Sequence, residues 1–196
     1  MLSKGTVAAV QDHQPTSAIA PLQVKRLTSM PPGLFGVCGR SGHTASVLAP
    51  GGREYCLLFG GASTGYSFRG DCDLVAMGSG EQFGPLIVFG APPARWLHSA
   101  VVASVKGSKE GVVVFGGQGA GNTLHDDLFM LELEFDSASA ASDGLELPTI
   151  QAERIEEGCG LLSLYGHSAT VYNNHVCLPL LPLTDVALCS QLTHTV

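Results

Sequence analysis

The sequence predicts an all-β protein built from repeated four-stranded sheets. Three observations carry this prediction: the composition, the short β-branched runs bounded by turn residues, and three blocks that recur in the same order. Of 196 residues, 45% are hydrophobic, only 14% are charged, and 25 are glycines. Such a composition favours short strands with tight turns over long surface helices. The length is enough for one domain with its own core.

The first recurring block places a histidine at the start of a short run of small and β-branched residues. Its three copies centre on His43, His98 and His167. Such a run indicates a strand that is buried on both faces. The copies span Arg40–Leu48, Arg95–Val102 and Tyr165–Tyr172.

The second block is an apolar strand that ends in two glycines. It occurs as Tyr55–Gly61 and again as Val112–Gly117, with the pairs Gly60-Gly61 and Gly116-Gly117. Paired glycines permit unusual backbone angles and close packing where a chain leaves a sheet.

The third block starts with aspartate and predicts a third strand. It runs Asp71–Met77 in one copy and Asp126–Leu131 in the other, and the alignment matches Asp73 with Asp127. A fourth strand is expected within 86–89 in the first repeat and within 148–164 in the second. Polar loops at 50–53, 106–109 and 173–174 predict hairpin turns between first and second strands.

Together these blocks resemble the kelch repeat. The stretch Pro93–His98 gives the Pro-x-Arg-x-x-His junction, and Phe-Gly-Gly followed by Asp-Leu completes the pattern. The resemblance covers roughly 38–178 and implies a β-propeller, here incomplete, with two four-stranded blades and a partial third. The residues it assigns to structural positions of the repeat are His43, Gly60, Gly61, Asp73, Arg95, His98, Gly116, Gly117, Asp127 and His167.

The chain departs from the family pattern in its later part. Leu164 stands where the junction arginine is expected, and Pro179 replaces the phenylalanine and glycines that should end the third hairpin. Since a propeller needs about four to eight blades to close, we expect a truncated form of a longer propeller. The expected organisation is a poorly ordered segment at 1–33 with one possible outer strand, kelch repeats over 34–178, and a non-repeat tail at 179–196.

The charge and the cysteine pattern limit the classes of partner and the cellular compartments that the sequence predicts. The net charge is −7, and no basic run is longer than Lys25-Arg26, so neither nucleic acid nor a membrane surface is an expected partner. No stretch predicts a transmembrane helix or a secretory signal. None of the six cysteines falls in a CxxC pair, which favours reduced thiols and a cytoplasmic location, with the nucleus as a second option.

Sequence motifs for chemistry are weak. The run 116–121 lacks the spacing of a dinucleotide loop, and His125-Asp126-Asp127 lacks the spacing of a zinc site. A histidine that recurs once per repeat indicates a structural hydrogen bond rather than catalysis. Arg40 and Arg95 are expected to tie loops between blades, and lining a binding face is the alternative.

The sequence therefore predicts a protein–protein interaction or scaffold module with no catalytic residue, cofactor or metal. The expected partner is another protein, contacted by the loops at 62–70, 118–125 and 135–147. The alternative is a propeller fragment of an enzyme, either oxidase-like or fused to a catalytic domain.

Overall fold

The computed structural model describes residues 39–65, 67–86, 88–105, 109–135, 148–156, 163–172, 175–178 and 188–190. These residues form β-strands and two single-turn 3-10 helices, Pro50–Gly52 and Ala120–Asn122. The strands are, in chain order, β1 (Thr44–Leu48), β2 (Tyr55–Phe59), β3 (Ala62–Ser63), β4 (Ser67–Phe68), β5 (Cys72–Ala76), β6 (Gln82–Leu86), β7 (Val88–Phe89), β8 (Ser99–Val105), β9 (Lys109–Phe115), β10 (Leu128–Phe135), β11 (Pro148–Glu156), β12 (Thr170–Tyr172), β13 (His175–Leu178) and β14 (Leu188–Ser190). The predicted predominantly β architecture is confirmed.

The strands form three successive sheets. The first sheet has the order β1-β2-β5-β6, the second β7-β11-β10-β9-β8, and the third β12-β13-β14. All neighbours are antiparallel except β7 and β11. A short hairpin, β3–β4, lies beside the first sheet. Each of these sheets therefore contains a hairpin that follows a recurring histidine.

The first two sheets share the same register. Thr44 is opposite Phe59 in the first hairpin, and Ser99 is opposite Phe115 in the second. In β2 the burial alternates, with Tyr55, Leu57 and Phe59 buried on one face. Because side chains alternate across a strand, this pattern fixes the face that packs on the second sheet.

Two apolar clusters hold the sheets together. The first contact, between the first and second sheets, contains Phe59, Leu74, Val114 and Ile150, all at most 1% exposed. The second contact, between the second and third sheets, is smaller among the described residues. Its buried members are Val113, Phe115, Leu128, Met130 and Val176.

One of the two fourth strands differs from the prediction. The first sheet ends with β6, whereas Val88–Phe89 pairs in parallel with β11 of the second sheet. The predicted strand at 86–89 was therefore wrong, because the chain passes from one sheet to the next within it. An apolar run does not reveal such a change of partner. The prediction of a fourth strand within 148–164 matches β11.

The third sheet contains a strand that the sequence did not indicate. β14 pairs antiparallel with β13, so part of the predicted non-repeat tail joins the sheet. The predicted segment 1–33, the turn at 173–174 and residues 136–147 of the long loop lie outside the described residues. Within the described part of the chain, no helix has the length and apolarity that crossing a membrane requires.

Candidate binding face at the glycine-pair loops

The loops that follow the two glycine pairs lie beside the segment that leads from β7 to β8, which we call the junction. Residues 62–70 lead from β2 to β5, 118–125 lead from β9 to β10, and 92–97 form the junction. We call the surface of these three segments the loop face. Its shape depends on how the glycines, the recurring histidines and the arginines fix the ends of the strands.

The first glycine of each pair makes room for the histidine of the next repeat. Gly60 has a φ of +63°, and Gly116 has a φ of +66°. A Cβ on Gly60 would lie 2.7 Å from the carbonyl oxygen of Arg95 and 2.9 Å from His98 Cε1. A Cβ on Gly116 would meet Leu164 O at 2.6 Å and His167 Cε1 at 3.0 Å. Both the backbone angle and the close approach therefore require glycine.

The second glycine of each pair links the sheets through the backbone. Gly61 N–H donates to the Arg95 carbonyl at 2.8 Å, and Gly117 N–H donates to the Leu164 carbonyl at 2.7 Å. Leu164 therefore occupies the position of the junction arginine, as the sequence predicted. Its backbone makes the same contact even though its side chain cannot make an ion pair.

His98 and His167 each bind the hydroxyl that follows the histidine of the preceding repeat. Thr44 Oγ1 and His98 Nε2 are 2.8 Å apart, and Ser99 Oγ and His167 Nε2 are 2.7 Å apart. Each ring also meets the edge of a phenylalanine, Phe59 or Phe115, in a T-shaped contact. The predicted structural hydrogen bond thus has a specific partner in the neighbouring sheet.

Burial keeps these imidazoles neutral. Desolvation, with help from the nearby Arg95 charge, lowers the pKa of His98 to about 3. Burial also lowers the pKa of His167. In both rings Nδ1 is buried without a hydrogen-bond partner among the described residues. A second proton on either ring would be costly, since it would place an unpaired charge in an apolar contact.

Arg95 is the strongest polar anchor of the junction. Its side chain is fully buried and forms a bidentate pair with Asp127, with Nη–Oδ distances of 2.6 and 3.1 Å. It also donates to the carbonyl oxygens of Gly116 and Pro93, at 3.0 and 3.1 Å. The side chain thus fixes the loop ends of its own sheet, while the Arg95 backbone carbonyl accepts from the preceding sheet. Arg95 therefore links two sheets, through two different groups.

Arg40 makes a related set of contacts in the first repeat. Its guanidinium donates to the Gly60 carbonyl at 3.0 Å and pairs with the Asp73 carboxylate. A weaker contact of 3.4 Å reaches Asp71. Asp71 itself pairs with Arg69. Burial raises the pKa of the Asp73 carboxyl despite the adjacent Arg40.

The aspartates of the two repeats correspond differently by backbone position than by sequence alignment. Gly60 N–H donates to the Asp71 carbonyl, and Gly116 N–H donates to the Asp127 carbonyl. By backbone position, Asp71 rather than Asp73 corresponds to Asp127. Asp73 takes over the side-chain role because two residues along a strand lie on the same face.

A cleft lies on the loop face between the first and second sheets. Its volume is about 720 Å³, and it is lined by Ser67, Phe68, Pro93, Ala94, Gly119, Ala120, Gly121, Thr123 and His125. The lining includes residues from each of the three segments. Small and apolar side chains with a few polar groups are typical of a surface that accepts a side chain of another molecule.

Ring packing and hydrogen bonds hold the segments around the cleft in place. Trp96 packs against Phe68 with ring centroids 5.9 Å apart, and its Nε1–H donates to Gln118 Oε1 at 3.1 Å. Gln118 in turn donates to Asn122 Oδ1 at 2.9 Å. Backbone bonds also pair Trp96 with Gln118 in both directions. The 118–125 loop is therefore held to the junction by both main-chain and side-chain bonds.

His125 is the titratable group of the cleft. Its Nε2 is buried without a hydrogen-bond partner among the described residues, and burial lowers the pKa of the ring. In the sequence His125 stands beside Asp126 and Asp127 as a possible metal ligand, although the spacing of a zinc site is lacking. Among the described residues, no group of three or more His, Cys, Asp or Glu side chains has a geometry suited to a metal ion.

The Ser99–His167 pair has the separation of a nucleophile and its general base. Ser99 is 5% exposed, however, and His167 Nδ1 has no carboxylate to orient it among the described residues. We therefore interpret the pair as an intersheet hydrogen bond. The hydroxyl after each histidine was missed at the sequence level, although its recurrence as Thr44, Ser99 and Ser168 was a usable signal.

The chain was also compared with known proteins. No protein-family model matches it, and no curated protein matches its sequence. Interpretation of its function therefore rests on the repeated geometry described above.

Proposed function

We propose that the chain forms part of a kelch-type β-propeller and acts as a non-enzymatic protein-interaction module that binds its partner at the loop face. The repeated order of hairpin, glycine pair and third strand supports the kelch assignment. The successive stacking of the sheets, joined each time by the same histidine–hydroxyl bond, supports a propeller arrangement.

The cleft between the two glycine-pair loops carries the functional part of this proposal. Loops mounted on rigid sheets are common binding elements, because the scaffold limits the entropy lost on binding. Here the Arg95–Asp127 pair fixes the strand ends on one side, and the Arg40–Asp73 pair fixes them on the other. Among the described residues, the cleft lining contains no Asp, Glu, Lys or Arg side chain, and burial lowers the pKa of its histidine, His125; such a lining suits an apolar or aromatic side chain of a protein partner.

Two thiols of the first sheet, one buried and one half-buried, support the intracellular part of the proposal, in the cytoplasm or nucleus. Cys56 and Cys72 form no disulfide, although both lie in the first sheet. Burial raises the pKa of both thiols, so they remain protonated and poorly reactive. Such cysteines suit a reducing environment.

The cleft can be tested with one blocking substitution and one matched control. Thr123 is exposed on the cleft, so Thr123→Arg fills the space without removing a core contact. Ser79 is exposed in the turn between β5 and β6, at the other end of these strands, so Ser79→Arg adds the same charge elsewhere. Affinity capture with the wild-type chain and both variants identifies proteins that depend on the cleft.

We expect a partner that is retained by the wild-type chain and by Ser79→Arg but not by Thr123→Arg. Calorimetry with that purified partner should show a one-to-one complex whose affinity falls at least about ten-fold in Thr123→Arg. A third chain lacking 136–147 tests whether the long loop adds to the contact. If no captured protein distinguishes Thr123→Arg from Ser79→Arg, the loop face is not the binding surface.

A further inference from the structure

Each contact between two sheets joins two complementary sets of groups. We call the set on the earlier sheet the front half and the set on the next repeat the back half. The front half presents a hydroxyl and a backbone carbonyl, as in Thr44 with Gly42 and in Ser99 with Leu97. The back half presents the imidazole and a backbone N–H of the next repeat. Leu97 N–H donates to the Gly42 carbonyl at 2.8 Å, and Gly166 N–H donates to the Leu97 carbonyl at 2.7 Å.

One back half remains unused among the described residues. Ala45 is opposite Leu58 and Val47 is opposite Cys56 on the side of the first sheet that faces away from the second. We call these four residues the back face. Val47 is 48% exposed, Ala45 is exposed, and Cys56 and Leu58 are only half-buried. No segment in the described part of the chain packs on this apolar sheet face.

The second sheet shows what covers the equivalent surface. Ala100 is opposite Val114 and Val102 is opposite Val112, which reproduces the cross-strand pairs of the back face. There the first sheet packs on them, and Val112 and Val114 are at most 1% exposed. The back face is therefore an apolar surface of the kind that this chain already covers once with a neighbouring sheet.

One front half is also unused, at the other end of the described chain. Ser168 and Thr170 occupy the positions of Ser99 and Val101 in the second sheet. Ser99 is 5% exposed and Val101 packs in the second contact, whereas Ser168 and Thr170 are exposed. His43, the imidazole that a front half would bind, is exposed as well.

We propose that copies of this chain associate head to tail, with the third sheet of one copy stacked on the back face of the next. The Ser168 hydroxyl of one copy bonds to His43 Nε2 of its neighbour, and the Gly166 carbonyl accepts from the neighbour's Gly42 N–H. The occupant is a second copy because the chain carries both halves of a link that it makes twice internally. Such a contact is heterologous, so it extends into a chain or closes as a ring.

The contact between copies is weaker than the internal ones. The third repeat has Pro179 at the position of Phe59 and Phe115, and it lacks the glycine pair that follows them. Proline cannot supply the ring edge that Phe59 and Phe115 present to the next histidine. We expect association that depends on protein concentration, and no obligate oligomer.

Sedimentation velocity over a range of concentrations tests the association. The wild-type chain should shift towards larger species as its concentration rises. Val47→Glu places a charge in the back face, and Thr170→Glu places one in the front half of the third sheet. Each should weaken association by at least about ten-fold, because the contact would bury an unpaired carboxylate. Met77→Glu changes another exposed apolar residue, 50% exposed, and should leave association unchanged.

Mixing the two variants distinguishes a head-to-tail contact from a symmetric one. A mixture of Val47→Glu and Thr170→Glu chains retains one intact back face and one intact front half. It should form a one-to-one heterodimer, while each variant alone remains monomeric. Thr170→Glu chains that still dimerise alone would indicate a symmetric back-to-back contact and would overturn the proposal. A wild-type chain that is monomeric at every concentration would also overturn it, and is the result expected if residues 1–38 cover the back face.

Discussion

The first and second contacts between sheets share their hydrogen bonds but differ at the junction. In both, a glycine N–H binds a junction carbonyl and a histidine binds a hydroxyl. In the first contact the junction residue is Arg95, fully buried and paired with Asp127, whereas in the second it is Leu164. The stacking of sheets therefore depends on the backbone and the imidazole. The arginine serves a separate purpose, which is to fix the loop ends within its own sheet.

Replacing Arg95 with leucine makes the first junction resemble the second, and we expect the largest effect here. Asp127 would be left buried without its bidentate partner, so Arg95→Leu should lower the free energy of unfolding by about 3–5 kcal/mol. The double variant Arg95→Leu/Asp127→Asn should recover part of this loss. Urea denaturation measures both.

The control for Arg95 is Arg53, whose contact with Glu81 is 3.4 Å long and largely exposed. Arg53→Leu should change stability by less than about 1 kcal/mol. Equal losses in Arg53→Leu and Arg95→Leu would contradict the role given to the junction arginine.

The feature common to both contacts is tested at Gly60. Gly60→Ala combines a left-handed backbone angle with a clash against His98 and the Arg95 carbonyl, so a loss of about 2–4 kcal/mol is expected. Gly51 has a similar φ of +61° but no neighbouring atom within 4 Å. Gly51→Ala should therefore lose only the conformational part, about 1 kcal/mol, by thermal or urea unfolding. A matching loss at the two glycines would mean that the close approach to His98 does not matter.

The imidazole of the first contact makes stability depend on pH. His98 has a pKa of about 3 in the folded chain against an ordinary value of 6.5, so acid protonates the unfolded chain first. The neutral His98 makes its full contribution to the free energy of unfolding above pH 6.5. That contribution is lost as the pH falls from 6.5 towards 3, by about 2 kcal/mol between pH 7 and pH 5. Unfolding curves of wild type and His98→Gln over this range should converge as the pH falls. Parallel curves would show that His98 is not the group responsible.

The hydroxyls give the smallest effect and the closest comparison. Thr44→Val removes the hydrogen bond of the first contact with little change in shape, and Ser99→Ala removes that of the second. Each should cost about 1 kcal/mol. Unfolding in urea should give similar values for both, since the two bonds differ by only 0.1 Å in length. A loss confined to Thr44→Val would mean that the second contact does not need its histidine bond.

The sequence predicted the local features of this fold well. The hairpins, the strand ends at the glycine pairs and the place of Leu164 all depend on residues close together in the chain, so turn residues and alternation reveal them. The pairing of Val88–Phe89 with β11 and the addition of Leu188–Ser190 to the third sheet are contacts between distant segments. No local pattern specifies them.

The candidate site was predictable to a similar degree. The loops at 62–70 and 118–125 followed from the repeat, but the cleft between them depends on how the junction at 92–97 lies against both loops. The hydroxyl partners of His98 and His167 could not be predicted from one repeat alone, because each hydroxyl belongs to the preceding repeat.

The choice of Asp73 over Asp71 as partner of Arg40 has a consequence for how such repeats diverge. A strand returns to the same face every two residues, so a carboxylate can shift by two positions and still reach the same guanidinium. A shift by one position would turn it to the opposite face and break the pair. In repeats of this kind the paired carboxylate can therefore move by two positions without loss of the ion pair. Equivalent residues are better identified by the sheet face on which they lie than by their column in an alignment.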